Sequence, residues 1–329
     1  MKRLNKLMLL LALMPLSTGV LAQSGEDFKP SGKPIVKIFA NYHSIFSDGD
    51  AANAFQITRA YLGYEYSFSK NFSGKIVLDV GDPGLGRFKL TAFLKNAYLK
   101  YNYKKFTVSF GMISTTAFKT QEKFWGYRYL YKSFQDAYRF NSSADLGISL
   151  NYRFTDFLSA DFSIFNGEGY KLVQLDSTFQ AALGVTVKPV DDLILRIYYD
   201  YMEKDAAQQT IALFAGYTIG KFSLGAEYDR QLNHGIIYHK DFDGYSVFAT
   251  FKVNNKWKVF GRYDKLSSVK TDHEEQVWNL NRDGQIIIAG LEFNPVKGIK
   301  LTPNYQGWIP ADADAHVLHG AFLNCEIKL

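Results

Sequence analysis

The chain has 329 residues, with 38 Lys and Arg against 32 Asp and Glu, a formal net charge of +6 and a single cysteine, Cys325. One cysteine excludes an intramolecular disulfide framework, and the lack of a basic tract or recognisable module speaks against a nucleic-acid partner. Aromatic residues are abundant (22 Tyr and 27 Phe against 4 Trp), yet no apolar run beyond the first segment approaches the about 20 residues that a membrane-spanning helix needs.

Residues 1–22 read as a secretory signal peptide. Lys2, Arg3 and Lys6 give a basic start, 7–16 an apolar run, and Val20-Leu21-Ala22 a small-residue cleavage site before Gln23. That run is too short to cross about 30 Å of hydrocarbon as a helix. No cysteine near the cleavage point offers a site for lipid. Removing the three leader cations lowers the formal charge of +6 to about +3. After a polar segment at 23–33, no Pro/Gly/Ser-rich linker interrupts the chain, so 23–329 reads as one domain.

From there the chain alternates apolar and polar residues in runs of roughly ten, the period of half-lipid, half-lumen strands. The expected strands lie at 35–46, 54–68, 72–81, 88–103, 106–114, 144–154, 157–166, 179–189, 193–203, 208–219, 222–231, 244–254, 257–266, 284–294, 299–308 and 316–329. Very short connections, such as Lys104-Lys105 and Gly220-Lys221, take turns with long ones at 118–141, 166–177, 231–244 and 266–283. A soluble meander has no reason to keep its long loops on one side. A barrel crossing an outer membrane does. The fold class expected is all-β: a transmembrane antiparallel β-barrel of about sixteen strands, with an inward-folded third extracellular loop.

Period two sorts the faces. In the ninth strand Leu195, Ile197, Tyr199 and Tyr201 stand opposite Arg196, Tyr198 and Asp200; in the thirteenth, Trp257, Val259, Gly261 and Tyr263 oppose Lys258, Phe260, Arg262 and Asp264. A charge facing lipid at mid-membrane costs about 2–4 kcal/mol, so the apolar faces are the outer ones. The inward set then includes the cations Lys37, Arg59, Lys75, Lys100, Arg153, Arg196, Lys258 and Arg262. Its acids are Glu65, Asp79, Asp161, Asp200, Glu227, Asp229, Asp264 and Glu292. So many ionisable groups require a water-filled lumen, which a barrel of this width provides.

The third connection on the outer side, 115–142, is the longest and carries nine aromatics, among them Phe118, Trp125, Tyr129 and Phe140, and the cations Lys119, Lys123, Arg128, Lys132 and Arg139 against Glu122 and Asp136. Loops exposed to water rarely hold so many aromatics. One reading folds it into the barrel as a constriction, its aromatics on the wall and its cations on the passage. The other makes it a lid over the mouth or against a neighbouring subunit. The pore-lining and constriction residues expected are Arg59, Arg153, Arg196 and Arg262 from the wall, with Lys123, Arg128, Lys132 and Arg139 from the loop. Fixed charge at a constriction sets ion preference, here mildly for anions.

The leader, the stretch Phe55-Gln56-Ile57-Thr58-Arg59-Ala60-Tyr61-Leu62-Gly63 and the segment Phe93-Leu94-Lys95-Asn96-Ala97-Tyr98-Leu99-Lys100-Tyr101 resemble the phosphate-selective porin O and P family. The resemblance implies sixteen-stranded, usually trimeric outer-membrane channels whose third loop narrows the pore. Such channels lie among lipid and lipopolysaccharide and pass small hydrophilic solutes or anions. It also implies phosphate selection by an arginine ladder and a lysine cluster. Arg59 matches one arginine of that pattern, while Gln56, Thr58 and Tyr61 occupy neighbouring positions.

Catalysis, cofactor and metal are not expected. His316 and His319 are three apart in a strand and point to opposite faces. His234, His239 and the His273-Glu274-Glu275 run sit in polar outer loops. No serine stands in a Gly-x-Ser-x-Gly setting. Gly81-Asp82-Pro83-Gly84-Leu85-Gly86 joins two strands and lacks a P-loop lysine and helix. A structural or adhesion barrel with little conductance is the alternative to a passive porin.

Overall fold

The structure is a computed structural model and describes residues 28–81, 90–271 and 274–329. The expected signal peptide, most of the glycine-rich turn after Gly81, and His273 lie outside them. Sixteen strands follow one another: β1 (Ser31–Ser47), β2 (Asp50–Ser67), β3 (Phe72–Gly81), β4 (Thr91–Tyr103), β5 (Phe106–Ile113), β6 (Asp145–Arg153), β7 (Leu158–Phe165), β8 (Gln180–Val190), β9 (Leu193–Glu203), β10 (Ala207–Ile219), β11 (Phe222–Leu232), β12 (Phe242–Lys252), β13 (Trp257–Ser268), β14 (Gly284–Phe293), β15 (Ile299–Pro310) and β16 (Leu318–Lys328). Each pairs antiparallel with the next, and β16 pairs with β1 to close the barrel. Closure leaves no sheet edge, the condition for a β-structure to sit in lipid.

Lipid contact explains why these runs are strands. Along β9, Leu195, Ile197 and Tyr199 are 39%, 47% and 40% exposed, while Arg196, Tyr198 and Asp200 are 5%, 0% and 0% exposed. An apolar face turned outward with a polar face turned inward is stable only with hydrocarbon outside. Near the short-turn end, cross-strand aromatic pairs form a belt: Phe72 with Tyr101, Phe222 with Phe251, and Trp257 with Phe293. At the other end, Tyr199, Tyr263 and Tyr305 turn their hydroxyls to Gln209, Gln285 and His319. Rings in an apolar layer with polar tips at its border are how aromatic girdles behave.

Two outer connections are shorter than the rhythm of the sequence suggests. Asp48 and Gly49 alone join β1 to β2, with φ of 47° and 86°. Both values suit the tight hairpin turn that Asp-Gly favours. Residues 204–206 join β9 to β10. The first hairpin is also longer than expected, because β1 and β2 continue through Ser31–Pro34 and Asp50–Asn53, where alternation fades but ladder pairing persists.

Two β-bulges matter for the lumen. In β2, Phe39 pairs with Arg59 and Ala40 with Ile57, which leaves Thr58 extra; in β4, Val77 pairs with Asn96 and Leu78 with Leu94, which leaves Lys95 extra. A bulge re-aims a side chain against strict alternation. Here Thr58 and Arg59 follow one another inward, as do Lys95 and Asn96.

Candidate channel lumen

The residues between β5 and β6, L3 (114–144), decide the shape of the interior. L3 opens with helix α1 (Lys119–Trp125). The helix stops at Gly126, whose φ of 75° lets its N–H close back on Glu122 O at 3.0 Å. One further turn, α2 (Phe134–Ala137), follows.

Aromatics carry L3 onto the inward face of distant strands. Trp125 meets Phe248 at 5.2 Å between centroids and Tyr127 stacks on Phe260 at 4.2 Å. These rings share one buried cluster with Phe39, Phe214, Ile286 and Ile288. Phe134 and Phe140 join Phe242 and Leu266 in another. Each such ring buries enough apolar area to contribute about 1.5–3 kcal/mol.

Polar side chains of the wall then grip the L3 backbone. Arg196 donates Nη2 to Thr116 O at 2.9 Å, and Arg262 donates Nη1 to Lys132 O at 2.8 Å. Gln231 donates to Phe140 O at 2.8 Å. From the loop, Tyr129 Oη donates to Glu292 Oε2 at 3.0 Å and Gln135 Nε2 to Asp229 Oδ1 at 2.9 Å. Much of the wall charge read from the sequence as bathed in water is therefore dry and paired. Asp79, Asp200, Asp264 and Glu292 are all 0% exposed. L3 covers them, and ion pairs and hydrogen bonds replace the water.

What stays open lies beside α1. A cavity of about 700 Å³ runs along the inward faces of β4 to β10, past Ser109, Ser149, Asn151 and Thr186. Its cations are Lys100, Lys119, Lys123, Lys188 and Arg196, against Asp161, Asp191 and Asp192. Arg196 and Asp161 neutralise one another at 2.7 Å. None of the four lysines forms an ion pair among the described residues. Partial withdrawal from bulk water inside the barrel, and then the nearby Lys75 and Lys100, shift the Lys119 ammonium below its ordinary pKa, although the side chain stays exposed to the cavity. A second cavity, about 380 Å³, lies between Thr58 and Arg59 on one side and Arg128, Tyr131 and Lys132 on the other.

The expected site residues divide accordingly. Lys123 is exposed in the larger cavity, and Arg196 lines it while clamping L3. Arg59, Arg128 and Lys132 border the smaller one, each tied to acid: Arg59 to Asp79 at 3.1 Å, Arg128 to Glu122 at 3.2 Å and Asp136 at 3.0 Å, Lys132 to Asp136 at 3.2 Å. Burial alone would raise the Asp136 carboxyl, but Arg128 and Lys132 outweigh it and hold it below the usual range. Arg262 lies behind the loop, over the rings of Trp125 and Tyr131 and paired with Asp264. Arg153 is exposed at the short-turn end of β6. Arg139 is exposed with φ of 63°, in the field of Arg282 and away from both cavities.

Lys95 was not singled out from the sequence. Its Nζ lies 2.8 Å from Ser143 Oγ, 3.7 Å from Asp79 and over the Tyr170 ring at 4.5 Å. Tyr170 reaches in from the connection after β7 to donate to Asp79 at 3.0 Å. The signal was the break in alternation at Lys95-Asn96, two polar residues in succession.

No protein-family model and no curated protein match this chain. Solved structures do. The outer membrane channel DcaP of Acinetobacter baumannii superposes with a TM-score of 0.68 at 13% identity, covering 93% of this chain and 99% of that one. OprB of Pseudomonas putida gives 0.69 at 11% identity, over 91% and 94%. An anion-selective porin from Comamonas acidovorans gives 0.67 at 12%, over 92% and 100%. With the closed ring and its apolar exterior, these likenesses establish the architecture: a sixteen-stranded β-barrel of the bacterial outer membrane, built as porins and outer-membrane channels are.

Proposed function

We propose that this barrel is a passive porin for small hydrophilic solutes, with L3 as its constriction and a mild preference for anions. The observation that carries the reading is the set Lys100, Lys119, Lys123 and Lys188 on the larger cavity, four cations without ion-pair partners among the described residues. Beneath and beside L3, Arg59, Lys95, Arg128, Lys132 and Arg262 are each paired with an acid, so the lysines of the larger cavity set the field where solutes pass. No covalent step is involved; they attract and hydrogen-bond.

The finer reading is phosphate. Lysines that line one cavity are point charges suited to an oxyanion, in line with the resemblance to phosphate-selective porins. A homotrimer embedded in lipid and lipopolysaccharide is the assembly we infer. OmpT of Vibrio cholerae, a structural neighbour at 14% identity and TM-score 0.61 over 91% of this chain and all of that one, is described in a trimer form.

Reversal potentials across a planar bilayer under a potassium chloride gradient test the core of this. The expected sign is that of anion selectivity, and added phosphate should reduce chloride current. Cation selectivity would overturn the reading; absence of phosphate competition would leave a general anion-preferring porin.

A further inference from the structure

Under the second half of L3 the wall carries acid that no base answers. Glu227 and Asp229 both face inward from β11, 4% and 0% exposed. Arg262, the guanidinium in the field of Glu227, is held by Asp264 through Nε and Nη2 at 2.7 and 2.6 Å. Lys132 is held by Asp136. Neither Glu227 nor Asp229 forms an ion pair among the described residues.

Neutral oxygens gather at the same place. Register sets Ser246 directly beside Glu227, with Asp264 beyond it. Ser246 is 0% exposed and its hydroxyl has no partner among the described residues. Gln135, also 0% exposed, spends its Nε2 on Asp229 Oδ1, which leaves Oε1 of the same amide without a donor. Glu227 Oε2 and Asp229 Oδ2 are equally without partners. Phe134 closes the place from above: its N–H donates to Glu227, and its ring sits so near Gly244 that a Cβ there would stand 2.6 Å away.

Buried carboxylates without countercharge are strongly unfavourable, and so are buried acceptors without donors. A cation removes both problems at once. We propose that Glu227, Asp229, Ser246 and Gln135 bind one calcium ion, which fastens α2 to β11 and β12. The donors are all oxygen, which selects a hard cation over zinc or copper. No third His, Cys, Asp or Glu completes a cluster among the described residues, so the remaining ligands are hydroxyl, amide and water. Calcium accepts such a mixed, irregular shell, whereas magnesium demands a short octahedral one.

The test uses the whole chain, refolded from denaturant into detergent micelles without lipopolysaccharide, and equilibrium dialysis against radioactive calcium near neutral pH. One ion per chain should bind, persist in an E274Q/E275Q variant of the exposed acidic loop, and disappear in E227Q/D229N. A chelator should lower the thermal unfolding midpoint of the unaltered protein but not of E227Q/D229N. Should that double variant fail to fold, Ser246→Ala decides, with calcium affinity expected to drop several-fold. No bound calcium in the unaltered chain, binding that survives in E227Q/D229N, or unchanged affinity in Ser246→Ala overturns the proposal and leaves the two carboxyl groups neutralised by protons.

Discussion

The inner wall has two halves that obey one backbone rule and opposite chemistry. Along β4 to β9 the inward side chains beside the larger cavity include Ser109, Ser149, Asn151, Thr186, Lys100, Lys188, Asp161 and Arg196. Along β10 to β14 they include Phe214, Phe248, Phe260, Ile286 and Ile288, 1–5% exposed beneath L3. Both sets alternate with lipid-facing residues in the same register. The difference teaches that "inward" in a barrel need not mean wet; where a loop is the neighbour, the wall carries packed rings and aliphatics together with dry polar groups such as Arg262 and Asp264. The interior is half an open cavity and half a packed domain.

The sharpest way to break this contrast is at the covered half. Arg262→Ala leaves Asp264 buried without its cation and frees Lys132 O, and should cost about 3–5 kcal/mol, read as a lower urea midpoint in micelles. Trp125→Ala opens a hole against Phe248 and Phe260 and should cost about 3–5 kcal/mol by cavity formation, with larger single-channel conductance as L3 loosens. Asn151→Ala, exposed on the open half, should stay within about 0.5 kcal/mol.

On the open half the effects are electrical. One charge at about 10 Å in water is worth about 0.4 kcal/mol, so K100Q/K119Q/K123Q should lower the anion-to-cation permeability ratio several-fold with little loss of stability. The pH dependence follows from the direction of the Lys119 shift. Its ammonium loses the proton below the ordinary lysine range, so anion preference should begin to fall as pH rises toward that range, earlier than exposed lysines would allow. In Lys119→Gln the early part of the decline should vanish; an unchanged profile would refute the assignment. Arg153→Gln, remote from L3, should change stability by less than about 0.5 kcal/mol and selectivity least of all.

The strands were legible because lipid imposes a uniform demand on every second residue. β3 and β9 fall where alternation places them, to the residue. The lumen was harder to read, for a physical reason. In Gln285-Ile286-Ile287-Ile288-Ala289, lipid takes Ile287 and L3 takes Ile286 and Ile288, so the sequence shows an apolar run on both faces. Charge alone likewise does not tell Arg196 and Arg262, which hold the loop, from Lys123, which stands exposed in the larger cavity. Those roles depend on where L3 lands, a matter of contacts between residues far apart in sequence.

The seam between the first and last strands sets how such a chain can be made. Lys37 lies opposite Lys328, and Leu329 N–H reaches Val36 O. Until β16 arrives, both margins of the growing sheet present unsatisfied amides to any neighbouring chain. Completion waits on the longest-range pairing in the molecule, a slow step by topology. Biogenesis should therefore depend on factors that shield the two margins until they meet.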